Sequence, residues 1–551
     1  MKQPDLPDIT AVHKEWRKQL LYVSLIVAFA GLVRIPSLTQ PLGPDQGIMS
    51  VIGKGILEGK LPYRDFWEMG SPAVFFTYAL IFKIFGTRMW AVPLSDLIVS
   101  MLTTYLIFLI AKSVWNKNAG YVAALLFAFL GNGVRFGMHS GGDVAFGTFW
   151  YIAQRETFML PLVSACFYFL LRSDGSRYRL YWLGLSGFAG GLAVMYKFPG
   201  MIVFLCIPFY LVTSAVTSGD RWVQMETFRR LLSLGLGFSL AFIPFLLFFW
   251  THGILREMID VIFGYVASVY GAGETNFLGL IKTALVRAHF IAEENFILWI
   301  FFLASSLYIL VAERKRRSVL IIGWAFTALL FLLSHREFFG YHFLMLLPPF
   351  CLLSGYGLVK SLGPAIHWRH ILSTEQEKVF VILALTANFA FFTTLNYLHY
   401  TKFYYYVTGK ITKEMYYSYF NAYPKHDFSF PADYAVAHYI ARRTGKSDCV
   451  ATMGGTEAII NFLSDRVPAS RFVFSWVLFQ GKHSEVERAE RYRQEFLGDL
   501  KKNQPRYVVS IGSIEKFSRF NEIYSYLSKH YFLEKVFPDD RLVYARRPFE
   551  N

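Results

Sequence analysis

Apolar runs of roughly 17–25 residues recur along this chain between short polar segments. They predict membrane-spanning helices near 20–37, 89–111, 119–136, 146–171, 180–196, 198–215, 230–250, 295–312, 318–334, 341–359 and 376–396. A helix needs about 20 apolar residues to cross the hydrocarbon core, and its backbone groups must pair internally there. The pattern therefore predicts a polytopic, all-helical transmembrane domain of about 11–13 spans. One further apolar stretch, 71–82, ends at Lys83. If it crosses, every later loop changes side; if it lies in the membrane surface or dips in and returns, the loops keep their sides. A weak helix within 254–290 is the other way to restore parity.

Past residue 397 the pattern changes. Phe403, Tyr404, Tyr405, Tyr406, Tyr416, Tyr417, Tyr419 and Phe420 form an interfacial-looking aromatic stretch. Beyond it the sequence predicts a helix over 431–443, a strand over 448–452, a turn at Gly454-Gly455 and a helix including 458–463. Charge alternates near 481–495 as on an exposed helix. A strand and turn at 505–512, a helix at 517–530 and a strand at 541–545 complete a small α/β domain. A plain turn explains the glycine pair better than phosphate binding. The expected organisation is a cytoplasmic N-terminus at 1–19, a membrane domain at 20–398 with outer loops 38–70 and 251–294, and an extracytoplasmic α/β domain at 399–551.

Composition agrees with this pattern. Of 551 residues 54% are hydrophobic and only 17% charged, so lipid rather than water is the main solvent. The formal charge of +16 does not imply a nucleic-acid partner. Its basic residues fall in short loops: Lys112 and Lys117; Arg172, Arg177 and Arg179; Arg221, Arg229 and Arg230; Arg314 to Arg317; Lys360, Arg369 and Lys378. The positive-inside rule puts these in the cytoplasm. Lys14, Arg17 and Lys18 precede the first apolar run without a small-residue cleavage site, which predicts a retained first helix. Cys166, Cys206 and Cys351 lie in apolar runs and Cys449 stands alone, so neither a disulfide framework nor a metal cluster is expected from them.

With the surface reading of 71–82, polar groups gather on the outer side. They occupy 38–70, 137–145 with the helix that follows, 251–294 and 335–342. Asp45 follows Pro44 in a predicted turn, where it serves either as a helix cap or as a base for a hydroxyl arriving from outside. Glu68 lies before the next apolar stretch and is equally read as a surface carboxylate. Asp65 has Arg64 beside it as a partner. Glu156 sits in an apolar helix and needs a partner, water or a role; adjacent Arg155 points away from it. Lys197, Arg336 and His342 are cations or potential cations at the outer face, suited to a phosphate or simply to snorkelling.

The ordered motifs carry a resemblance. An early outer-loop Asp45 is followed by Gly59-Lys60-Leu61-Pro62-Tyr63-Arg64-Asp65-Phe66-Trp67-Glu68, then by Arg155-Glu156-Thr157-Phe158-Met159 and by Tyr341-His342-Phe343-Leu344-Met345-Leu346-Leu347-Pro348-Pro349. Over roughly 20–400 the chain resembles polyprenyl-phosphate-dependent membrane glycosyltransferases of the GT-C fold. It is most similar to the bacterial group of protein O-mannosyltransferases and of lipid A aminoarabinose and galacturonate transferases.

The resemblance implies an enzyme of the bacterial inner membrane that moves a hexosyl, pentosyl or glycuronosyl group with inversion. The donor would be a polyprenyl-phosphate sugar and the acceptor a hydroxyl of lipid A, another glycan, a glycolipid or a protein, on the periplasmic or outer face. It implies membrane lipid as surroundings, no cofactor, no essential metal and a monomer, although relatives acting on pyrophosphate donors use a metal. Asp45, Glu68 and Glu156 match the family's acidic positions, with Asp143 as the alternative to Glu156. Lys197, Arg336, His342, Tyr341, Tyr63 and Asp65 are then expected to contact substrate. Two departures stand out: Gln46 replaces a frequent second carboxylate, and Met69 replaces a frequent lysine. The rival class is a transporter or flippase for a lipid-linked or anionic substrate, which predicts paired repeats with broken helices. No convincing repeat is visible in the sequence.

Overall fold

The computed structural model describes residues 9–131, 152–216, 221–266, 268, 277–335, 338–362, 386, 399–420, 428–455, 458–479 and 487–548. Six helices among them are long and apolar enough to cross a membrane: His13–Thr39, Ala91–Val114, Trp222–Thr251, Phe296–Glu313, Arg316–Ser334 and Gly340–Ser361. The predicted span at 376–396 lies almost wholly outside the described residues.

The N-terminal half supplies seven helices. They are α1 (Ile9–Leu32), α2 (Pro44–Leu57), α3 (Ala73–Phe85), α4 (Ala91–Val114), α5 (Lys117–Leu130), α6 (Arg155–Ser173) and α7 (Arg179–Tyr196). The 13 residues of α3 extend only about 20 Å, short of the roughly 30 Å hydrocarbon core. Helix α2 begins with Gly43 as its N-cap and Pro44 at the first helical position. Proline suits that place because its fixed φ is helical and the missing N–H has no partner there anyway. Asp45 therefore stands in the first helical turn, not in the turn expected from the sequence, and it is not the cap.

The C-terminal domain carries one five-stranded sheet in the order β2-β1-β3-β5-β4. Its strands are β1 (Cys449–Met453), β2 (Val467–Pro468), β3 (Tyr507–Ile511), β4 (Tyr531–Phe537) and β5 (Arg541–Arg546). Strands β2, β1 and β3 run parallel; β5 pairs antiparallel to β3, and β4 antiparallel to β5. Central β3 is buried along its whole length, which its sequence Tyr-Val-Val-Ser-Ile accommodates. The Gly454 turn has φ +101°, a conformation that glycine adopts without penalty.

This domain packs directly on α2 and on the segment between α2 and α3. Trp67 is fully buried, donates its backbone N–H to the Arg471 carbonyl at 2.7 Å and meets Tyr265 and Tyr492 edge-on at 4.8 and 5.5 Å. Each such ring pair contributes about 0.5–1.5 kcal/mol beyond burial of area. Arg471 also holds the Tyr63 carbonyl at 3.0 Å and Glu495 at 2.7 Å, and it pairs with Glu257. Behind the loop, α2 lies against the helix Ala458–Ser464, where a Cβ on Gly47 would come within 3.1–3.3 Å of Ile459. The segment that bears Asp45 and Glu68 is thus gripped between α3 and the C-terminal domain.

Candidate active site

Two buried ion pairs flank Asp45. In the first, Glu68 Oε1 accepts from Arg155 Nη2 at 2.8 Å and from the Gly70 amide at 3.0 Å. In the second, the Lys197 ammonium pairs with Glu156 Oε1, and His342 Nε2 lies 3.8 Å from the same oxygen. Glu156 is 1% exposed and Glu68 4%. Buried charges of this kind persist only when paired, so each carboxylate fixes the position of its cation.

Sequence neighbours divide the work. Trp67 faces the C-terminal domain while Glu68 faces Arg155. Gly70 leaves room for the guanidinium: a Cβ there would lie 2.2 Å from Arg155 Nη2. The loop that delivers Arg155 and Glu156 is pinned from three sides. Gln46 Nε2 donates to the Ile152 carbonyl at 2.8 Å, the Tyr78 hydroxyl to the Ala153 carbonyl at 3.0 Å, and the Ala153 amide to Asp96 Oδ1 at 2.9 Å. Asp96 is itself paired with buried Arg34 at 3.4 Å. Gln46 therefore has a positional role that a second carboxylate there, facing a carbonyl, would not fill. Met69 packs against the apolar core instead of presenting a cation.

Asp45 is only partly exposed and lies within electrostatic reach of Arg155, Glu156 and Lys197, with Gln154 hydrogen-bonded to its carboxylate. Burial pushes its carboxyl above the ordinary aspartate range. Arg155 pulls it back, Glu156 pushes it further up, and Gln154 and Lys197 again oppose. Glu68 is raised for the same first reason, with Arg155 opposing and Asp45 adding.

The structure thus gathers Asp45, Glu68, Glu156 and Lys197 with His342 and with Tyr341, whose ring lies 5.7 Å from Lys197 Nζ. Tyr63 lies beneath them, its hydroxyl committed to the Gly70 carbonyl at 2.7 Å and its φ at +67°. Asp65 is not brought in: it accepts from the Leu61 amide at 2.7 Å and pairs with Arg64 at 2.7 Å. Asp143 and Arg336 lie outside the described residues. Arg155 and His335 belong to the cluster and were not among the residues singled out for it. Charges in apolar runs, Arg34 and Asp96, were the unused signal for the pinned loop.

Residues 70–248 match the family of dolichyl-phosphate-mannose-protein mannosyltransferases. The whole architecture is similar to the ArnT of Cupriavidus metallidurans bound to undecaprenyl phosphate, with TM-score 0.59, 14% identity, and 96% of this chain and 99% of that chain covered. The chain has the GT-C fold. The apo form of the same ArnT aligns at TM-score 0.55 and 16% identity, over 96% of this chain and 99% of that one. The archaeal oligosaccharyltransferase AglB from Archaeoglobus fulgidus, in complex with an inhibitory peptide and a dolichol-phosphate, aligns at TM-score 0.51 and 15% identity, over 97% of this chain and 75% of that one. No curated protein matches the sequence. The chain's apolar helices and small C-terminal sheet domain follow the GT-C fold.

Proposed function

We propose that this protein is an inverting glycosyltransferase. It moves a sugar from a polyprenyl-phosphate donor to a hydroxyl of a cell-envelope acceptor on the periplasmic face of the inner membrane. The observation that carries this reading is a partly exposed carboxylate, Asp45, set between two carboxylate-anchored cations on a GT-C scaffold. Cations and a base held together in one site are what transfer from a phosphate leaving group requires.

In this mechanism the acceptor O–H gives its proton to Asp45 as the oxygen attacks the anomeric carbon. The new C–O bond forms on the face opposite the leaving group, and the bond to the phosphate oxygen breaks. The departing electron pair becomes phosphate charge, stabilised by Lys197 and Arg155. Glu156 and Glu68 hold those two cations in place. Arg155 takes the part that the sequence reading gave to Arg336. A lysine is absent at Met69, and Arg155 supplies a bidentate-capable cation at the neighbouring position in space. The sugar is a hexose, pentose or uronic acid derivative, and the acceptor a glycolipid, glycan or protein. Purified protein in lipid nanodiscs, offered a panel of polyprenyl-phosphate sugars with envelope extract, should release polyprenyl phosphate from at least one donor. Nucleotide sugars should yield nothing. Release from nucleotide sugars alone would contradict the reading.

The raised Asp45 carboxyl gives the pH dependence a sign. A base must be ionised, so activity is present above its pKa and is lost as pH falls through it. The acid limb of kcat/KM is expected to inflect above the ordinary aspartate value of about 3.9. An inflection at or below that value in the wild-type profile would contradict the assignment.

Gly70→Ala is expected to push the Arg155 guanidinium off Glu68 and lower kcat/KM about tenfold, or about 1.4 kcal/mol. The clash is with the end of a flexible side chain, so Tm should shift by less than about 4 °C. Paired kinetics and thermal unfolding check both halves.

A further inference from the structure

Between α7 and the long helix Arg221–Thr251 runs a groove that the candidate active site does not use. One cavity of about 420 Å³ is lined by Arg177, Tyr178, Arg179 and Glu226. A second, of about 400 Å³, is lined by Gly184, Phe188, Leu236, Gly237 and Leu240. Leu180 and Tyr181 line both, so the charged cavity opens into the apolar one. From Glu226 to Phe249, which meets Tyr63 at the other end, the long helix rises about 35 Å. The charged cavity therefore lies across the roughly 30 Å hydrocarbon core from the candidate active site.

The charged cavity has cations to spare. Glu226, the carboxylate that lines it, is shared between Arg179 at 3.0 Å and Arg230 at 3.3 Å. Arg179 keeps a buried Nε N–H without a hydrogen-bond partner among the described residues, so the guanidinium can still donate to an arriving anionic oxygen. Exposed Arg177 has no carboxylate partner among the described residues; its guanidinium lies 5.7 Å from the Tyr178 ring. Tyr178 and Tyr181 are 64% and 62% exposed, as aromatic side chains are at a lipid–water boundary.

In the apolar cavity the Ser233 hydroxyl is already committed to the Leu180 carbonyl at 2.6 Å. The helix backbones touch along the floor: a Cβ on Gly237 would lie 1.9 Å from the Gly184 carbonyl oxygen. Exposed Phe188, Leu236 and Leu240 stand as walls. From Leu180 to Phe188 the groove follows α7 for about 12 Å. A basic pocket between membrane helices suits an anionic lipid headgroup, and here an apolar channel leads away from it.

We propose that this face binds one anionic phospholipid of the leaflet opposite the candidate active site. Its phosphodiester sits on Arg177 and Arg179, and an acyl chain lies along Gly184. Charge selects this occupant: a zwitterionic lipid brings an ammonium toward the guanidinium groups, and an apolar protein helix leaves them unmatched. The proposal does not rest on the transfer reaction.

Delipidated full-length protein in detergent is titrated with phosphatidylglycerol, with phosphatidylethanolamine of the same acyl chains and with inorganic phosphate. Native mass spectrometry reads the bound species. The wild type is expected to hold one phosphatidylglycerol at least about tenfold more tightly than either of the others. Arg177→Gln/Arg179→Gln should abolish the preference between the lipids. Gly184→Leu fills the groove, since a Cβ there would meet only Ser233, at 3.6 and 3.9 Å. It should weaken phosphatidylglycerol by about tenfold. Gly235→Leu, whose Cβ would meet nothing within 4 Å, should bind as the wild type does. Equal affinity of the wild type for the two lipids overturns the proposal, whatever the variants do. So does phosphate bound as tightly as phosphatidylglycerol, or full binding by the double variant or by Gly184→Leu. A protein dimer that Gly184→Leu disperses would assign the groove to a second copy and overturn it as well.

Discussion

Asp45→Asn is expected to lower kcat by about 10³-fold and to leave the donor's dissociation constant within about twofold. Asparagine keeps the size of the side chain and an oxygen for Gln154, but it does not take a proton at neutral pH. The competing account, a helix cap, is disfavoured because Gly43 is the N-cap and Asp45 follows Pro44 within the first turn. Loss of a cap would cost about 1 kcal/mol of stability and would spare turnover. Single-turnover rates and equilibrium donor binding distinguish the two. A variant within about tenfold of wild-type kcat would remove Asp45 from the chemistry.

Lys197→Met should act on both activity and stability. It strands Glu156, 1% exposed, without its ammonium partner, and breaking such a pair costs about 3 kcal/mol or more. It also removes a cation from the proposed leaving phosphate, so kcat/KM should fall by about 10² or more. The double variant Lys197→Met/Glu156→Gln separates these effects. It is expected to recover most of the lost Tm, because no uncompensated charge remains buried, yet to stay as inactive as the single variant. Recovery of activity along with stability would show that Lys197 only neutralises Glu156.

These two sites show what the sequence carried and what it did not. Apolar run length announced the membrane helices, and strand-forming segments with turn residues announced β1, β3 and β5. Strand β4 follows its helix directly, with His530 and Tyr531 adjacent. No glycine or proline marks the change, and its middle is exposed, so neither punctuation nor alternation revealed it. The two-residue β2 is too short to leave a pattern.

The site was legible as a set of residues on one face, because charges near apolar runs are costly and therefore conspicuous. Its pairing was not legible. Glu156 finds Lys197 41 positions away, and Glu68 finds Arg155 87 positions away, distances that no helical spacing rule spans. Asp65 illustrates the converse: its motif placement resembled that of a substrate ligand, while local geometry commits it to Leu61 and Arg64. Proline at position 44 held a signal that was open to reading, since it marks the start of a helix as readily as a turn. Arg336 and His342 were recognisable as flanking one outer turn. The approach of His342 to Glu156 depends on how α6 packs against that turn, which only the fold supplies.

The central claim is that a lipid-linked sugar is cleaved at Asp45 and not merely carried across. Protein reconstituted in sealed vesicles with an isotopically labelled polyprenyl-phosphate sugar and an envelope acceptor extract separates these outcomes by mass spectrometry. The account predicts polyprenyl monophosphate and labelled, glycosylated acceptor in equal amounts, both abolished by Asp45→Asn. Intact donor appearing on the opposite leaflet, with no monophosphate released, would contradict it and favour a transporter.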